Sequence, residues 1–179
     1  MKAIRVTLVE DNQEYREGIS LILKHTPDID LISQFGTVEI ALRDMQAAGS
    51  NLPDLILLDL RLPGMGGLQA LPYFRKYAPD TKVLILTQSD SEQDVLQAIR
   101  DGAAGYLLKT ATAQEIIEGI HTVMGGGAML DAKVATFILN TLKSKLPKGG
   151  ANDEAGLSAR EMDVLTLLAD GLVKKEIAS

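Results

Sequence analysis

The sequence predicts an α/β fold, a doubly wound parallel sheet built from five βα rounds, and three observations predict it. Short apolar, β-branched runs recur through the first 125 residues; stretches of helical periodicity separate them; and prolines stand at the joints. A strand covered on both faces reads as a continuous apolar run, which is the form these runs take.

In chain order, strands are expected over residues 4–9, 31–35, 55–58, 83–86 and 105–108, each short enough to be a buried central strand. Between them, Tyr15, Ile19, Ile22 and Leu23 form one helical stripe. Val95, Leu96 and Ile99 form another, and Ile116, Ile117, Ile120, Val123 and Met124 a third, all read as packing on the sheet. Pro27, Pro53, Pro63 and Pro79 punctuate the joints, where fixed φ and a missing donor suit a helix stop or a turn.

Beyond the fifth helix, Gly125-Gly126-Gly127 reads as a linker turn. Residues 133–145 then read as an isolated amphipathic helix with Val134, Phe137, Ile138 and Leu142 on one side, a connector or a dimer contact. Residues 147–154 hold turn formers and charge with no apolar residue larger than Ala, and predict a flexible linker. A new helix is expected at Ser158-Ala159-Arg160-Glu161, which has capping-box spacing, with Met162, Leu165, Leu168 and Ala169 running to a stop at Gly171. Residues 174–178 look like the start of another.

The 179 residues are 46% hydrophobic and 23% charged, which suits a folded domain with an appendage and argues against wholesale disorder. With no cysteine there is neither a disulfide framework nor a thiolate metal site. The N-terminus lacks a signal core and no apolar run reaches membrane-spanning length, so a cytoplasmic protein is expected. The net charge of -6 is uneven: residues 1–125 carry 11 Lys+Arg against 17 Asp+Glu, and residues 126–179 carry 7 against 7. An acidic first part repels a phosphate backbone, so any contact with nucleic acid belongs elsewhere.

In a parallel sheet the carboxyl ends of the strands share one edge, where open α/β folds bind ligands. Glu10 and Asp11 follow the first strand, Asp59 the third, Thr87 the fourth and Lys109 the fifth. Gathered carboxylates repel one another, and a hard divalent cation with oxygen ligands, Mg²⁺, is the natural remedy. A carboxylate beside such a charge can attack a phosphoryl group in line, which makes Asp59 the candidate nucleophile. Taken singly, each of these residues reads as readily as a turn residue or helix cap as a site residue; the set together points to a site.

Val9-Glu10-Asp11, the run from Leu58-Asp59 to Gly66-Gly67, Leu86-Thr87 and Gly105-Tyr106-Leu107-Leu108-Lys109 resemble response-regulator receiver domains, over roughly residues 4–125. That resemblance implies a flavodoxin-like (CheY-like) receiver with phosphotransfer from a sensor histidine kinase to Asp59. It also implies Mg²⁺ on Glu10, Asp11 and Asp59, Lys109 on the phosphoryl group, and at most weak autophosphatase activity. A switch is implied too, in which the Thr87 hydroxyl moves to the aspartyl phosphate and the Tyr106 ring turns inward. Arg61, Gln88 and Ser89 fall where the resemblance places tuning of phosphoryl lifetime. Gln88 departs from the small residue usual after the switch hydroxyl, and Thr110 stands where many receivers have a cis proline; a cis bond here would cost about 3 kcal/mol, so a trans bond is expected.

The segment from Leu157 through Ala178 resembles the opening of a LuxR-type helix-turn-helix domain, which makes the parent similar to a NarL/FixJ-type regulator. The expected organisation is a receiver over 1–125, a helical connector and linker over 126–156, and an all-α partial helix-turn-helix module over 157–179. The groove-reading helix would lie past Ser179, so DNA binding is expected of the full-length parent and not, specifically, of this chain. A homodimer on phosphorylation, through the surface from the fourth helix to the fifth, is expected, and no membrane partner.

Three rivals differ in kind. A stand-alone receiver would act through protein contacts only. A haloacid dehalogenase-type phosphatase needs a second acid two residues past the nucleophile, where Arg61 stands. A flavin or nucleotide binder needs a glycine-rich phosphate loop after the first strand, where the chain has Glu10-Asp11-Asn12-Gln13.

Overall fold

The computed structural model describes residues 3–47, 49 and 51–145. Six parallel strands form one sheet in the order β2-β1-β3-β4-β5-β6: β1 (Ile4–Val9), β2 (Ile29–Phe35), β3 (Leu55–Leu58), β4 (Lys82–Thr87), β5 (Gly105–Leu108) and β6 (Met129–Leu130). Helices α1 (Gln13–Lys24), α2 (Val38–Ala47), α3 (Gly67–Tyr77), α4 (Glu92–Arg100), α5 (Ala113–Met124) and α6 (Ala132–Lys145) follow the strands in turn. The strand order reverses between β1 and β3, which opens a crevice at their carboxyl ends.

The pleat sorts the strand residues between two cores. Leu55 and Leu57 of β3 face α1 and α5 with Ile19, Leu23, Ile116 and Ile120. Ile56 and Leu58 face α2, α3 and α4 with Leu42, Phe74 and Val95. All four residues of β3 are buried, as a central strand with two covered faces requires.

Three expectations need correction. The sheet has a sixth strand: Met129 and Leu130 pair with Gly105 and Tyr106 just past the glycine run that reads as a linker turn. Two residues carry no periodicity, and only β5's open edge specifies them. On α4, Ile99 is exposed and Ala98 takes the core position, because the buried stripe follows Val95 at i+3. The helix over 133–145 is not isolated: Val134 is fully buried in the core with Val95, Ala98 and Tyr106, and Phe137 and Ile138 pack at its border.

The chain divides into a compact unit, Met1–Leu139, and a second, Asn140–Ser179, of which only the end of α6 is among the described residues. The expected boundary at 125 therefore falls before β6. The expected linker over 147–154 and helix-turn-helix segment over 157–179 lie outside the described residues. No described helix is long and apolar enough to cross a membrane.

Candidate functional site

Register brings the acids together. Val9 of β1 pairs with Leu58 of β3, so the next residues, Glu10 and Asp59, leave the sheet side by side. The backbone seals the arrangement: Asp59 donates its N–H to the Val9 carbonyl at 3.0 Å, and Lys109 donates its N–H to the Thr87 carbonyl at 2.8 Å. Glu10 and Asp59 are buried at 1% and 4% exposure, and Asp11 is exposed. One oxygen from each of the three carboxylates lies within 4.8 Å of the others.

Lys109 Nζ reaches into this cluster, 2.6 Å from Glu10 Oε2 and 2.7 Å from Asp59 Oδ2. The remaining oxygens accept backbone amides: Asn12 N–H donates to Glu10 Oε1 at 3.0 Å and Arg61 N–H to Asp59 Oδ1 at 3.2 Å. Burial works to raise the Asp59 pKa, yet bonds from Lys109, Thr87 and the Arg61 amide outweigh it and hold the carboxyl below its ordinary value. At Glu10 burial wins over Lys109 and Asn12, and the pKa is raised. Burial opposes the charge on Lys109, but its bonds to Asp59 and Glu10 prevail and raise its pKa. At neutral pH the site thus holds an ionised Asp59 beside a protonated Lys109.

Behind Asp59 stands buried Thr87, whose Oγ1 accepts the Ser89 amide in a long bond of 3.4 Å. Tyr106 is fully buried and turned inward, its hydroxyl donating to the Ser89 carbonyl at 2.8 Å. Burial, then the charge of Asp94, pushes that phenol up to about 12. In front, Arg61 reaches Asp94 Oδ2 at 3.0 Å and Ser89 Oγ at 3.3 Å. Gln88 and Arg61 join Glu10, Asp11, Asn12, Tyr15, Asp59 and Lys109 around a cleft of about 320 Å³. The peptide from Lys109 to Thr110 is trans, as no described peptide bond is cis.

The structure thus gathers Glu10, Asp11, Asp59 and Lys109 at one point, with Arg61 and Gln88 at the rim and Thr87, Ser89 and Tyr106 behind. Three further neighbours of the site are not set apart by any sequence pattern. Tyr15 reads as one of an apolar stripe, yet its ring covers the Lys109 ammonium at 4.8 Å from the centroid. Asp94, in the first turn of α4, anchors Arg61. Glu39 of α2 accepts the Met65 amide at 2.8 Å, fixing the loop after Asp59 where Gly64 turns with φ +74°.

A doubly wound parallel sheet with buried acids, a lysine and a hydroxyl at the crevice of its order reversal defines a receiver domain of response regulators, and that family's model matches residues 6–121. Oxygen regulatory protein NreC of Staphylococcus aureus (strain bovine RF122 / ET3-1) is 33% identical over 179 residues, covering 98% of this chain and 81% of that protein. Nitrate/nitrite response regulator protein NarL of Escherichia coli (strain K12) is 31% identical over 173 residues, covering 97% of this chain and 78% of NarL. A crystal structure of a two-component response regulator, LuxR family, from Aurantimonas sp. SI85-9A1 superposes with a TM-score of 0.72 at 25% identity, over 79% of this chain and 99% of that one. The chain belongs to the response regulators of the LuxR family, with NarL and NreC among its relatives.

Proposed function

We propose that Asp59 accepts a phosphoryl group from the phosphohistidine of a sensor histidine kinase, and that this charge switches a transcription regulator. One observation carries the reading: a protonated Lys109 bonds Glu10 and Asp59 together at the crevice, with Asp11 in reach of both. Carboxylate oxygens are the whole acidic donor set of that cluster, which fits a hard cation such as Mg²⁺ on Glu10, Asp11 and Asp59. Bound there, the cation would offset charge on the transferring oxygens.

An Asp59 oxygen attacks phosphorus in line; the O–P bond forms as the P–N bond to the kinase histidine breaks, and the electron pair leaves with the imidazole. Lys109 has a donor to give a phosphoryl oxygen when Asp59 Oδ2 is esterified. The Thr87 hydroxyl, which bonds Asp59 and accepts the long bond from the Ser89 amide, stands where it can pass to an oxygen of the same group. Tyr106 keeps the Ser89 loop in the inward arrangement that such a turn favours. Water attacking the aspartyl phosphate returns inorganic phosphate, and Arg61 and Gln88 at the rim set its access, with Ser89 behind them holding Arg61.

Acetyl phosphate with Mg²⁺ is expected to add one phosphoryl group to the protein, read by intact mass, and Asp59→Asn is expected to add none while keeping the wild-type circular dichroism spectrum. Equal labelling of the Asn variant would place the acceptor elsewhere.

A further inference from the structure

Lys109 has three N–H donors and little water to spend them on, its side chain being 10% exposed. Two donors meet the carboxylates of Glu10 and Asp59 at 2.6 and 2.7 Å. The aromatic face of Tyr15 lies 4.8 Å from the same nitrogen, inside the ~6 Å range in which a ring attracts a cation, and the attraction grows with desolvation.

The ring is held from two directions. Its body packs against the core that α1 and α5 share, and its backbone N–H donates to Asn12 Oδ1 at 2.9 Å, while the Asn12 N–H donates to Glu10 Oε1. The Tyr15 hydroxyl, by contrast, is buried with no hydrogen-bond partner. No polar anchor sets the ring's orientation, so the face is the working part and the hydroxyl is dispensable.

We propose that Tyr15 is a positioning residue for Lys109, its ring holding the ammonium against Glu10 and Asp59 where it can take up a phosphoryl oxygen. This rests on the reading of Asp59 as phosphoacceptor. A π-face suits the task because it attracts the cation without competing as a hydrogen-bond acceptor when the phosphoryl oxygens arrive. An aliphatic side chain would fill the same space but offer the charge nothing, which separates this role from plain core packing.

The test compares Tyr15→Leu with Tyr15→Phe in the full chain. With acetyl phosphate and Mg²⁺, phosphorylation of Tyr15→Leu is expected to be about three- to tenfold slower than wild type. Tyr15→Phe is expected to match wild type. In the untreated protein, the Lys109 ε-methylene protons are expected to be shifted upfield by the ring in wild type and Tyr15→Phe, and to lose that shift in Tyr15→Leu. Should Tyr15→Leu not fold, Tyr15→Met carries the same expectation. A wild-type rate in the aliphatic variant, a Phe variant as slow as it, or no upfield shift in wild type would each overturn the role. If wild type takes no phosphoryl group, the reading of Asp59 falls by itself, and the Lys109 shift still upholds or refutes the ring's hold on the ammonium.

Discussion

Tyr106 is the side chain on which burial and one hydrogen bond act most plainly. Its hydroxyl donates to the Ser89 carbonyl, and burial raises its pKa to about 12. Tyr106→Phe leaves that carbonyl without its donor and is expected to lower stability at neutral pH by about 1 kcal/mol. The fold favours the protonated phenol, so this contribution is whole below the unfolded value of about 10 and is lost as pH climbs toward 12. Urea midpoints taken from pH 7 upward are expected to show the gap between wild type and variant constant to about pH 10. Beyond that it should close at up to about 1.4 kcal/mol per unit, vanish about one unit higher and then change sign in the variant's favour. Lys109 titrates in both proteins and cancels from the difference. A gap that widens with pH would mean the phenol ionises more readily folded than unfolded, against its burial.

At the scale of the element, the turn from β3 into α3 sets where Asp59 stands. Gly67 opens α3 so close to the strand end that a Cβ there would lie 2.2 Å from the Asp59 carbonyl oxygen and 2.9 Å from Leu60 Cα, both backbone. No rotamer relieves such a clash, so Gly67→Ala must shift either the helix or the acceptor. A loss of about 1–3 kcal/mol is expected by thermal melting, with slower phosphorylation by acetyl phosphate at temperatures where the variant is still folded. Unchanged melting and rate would show the turn to be more pliant than its packing suggests. The acids and Lys109 were legible in the chain because each follows a strand whose apolar run marks its own end. The outer limits of β2 and β4 were not: Asp30 and Lys82 are polar, and pairing with β1 and β3 rather than hydropathy makes them strand. Tyr15 was hidden for the opposite reason, since an aromatic at helical spacing satisfies the core pattern before any question of charge arises.

Across the whole molecule, Tyr106 links the site to the far edge of the sheet. It pairs with Ile85 of β4 on one side and Leu130 of β6 on the other, and its carbonyl accepts the Asp131 amide at 3.0 Å. Asp131 leads into α6, where Val134 enters the core beside Tyr106 and Lys133 bonds Asp90 in the loop after β4. Exposed ion pairs such as Lys133 with Asp90 add about 1 kcal/mol at most, so the apolar contact carries most of the attachment. We infer that the receiver's folding unit runs to Leu139 and includes β6 with the first turns of α6. A fragment ending at residue 125 leaves β5 as an open edge and uncovers the cavity that Val134 fills. A fragment ending at 139 retains both. Burying one valine stabilises by about 1.5–3 kcal/mol, so the shorter fragment is expected to melt several degrees lower, with increased dye binding from its exposed core. Equal melting of the two would make β6 and α6 an appendage that contributes nothing to the receiver.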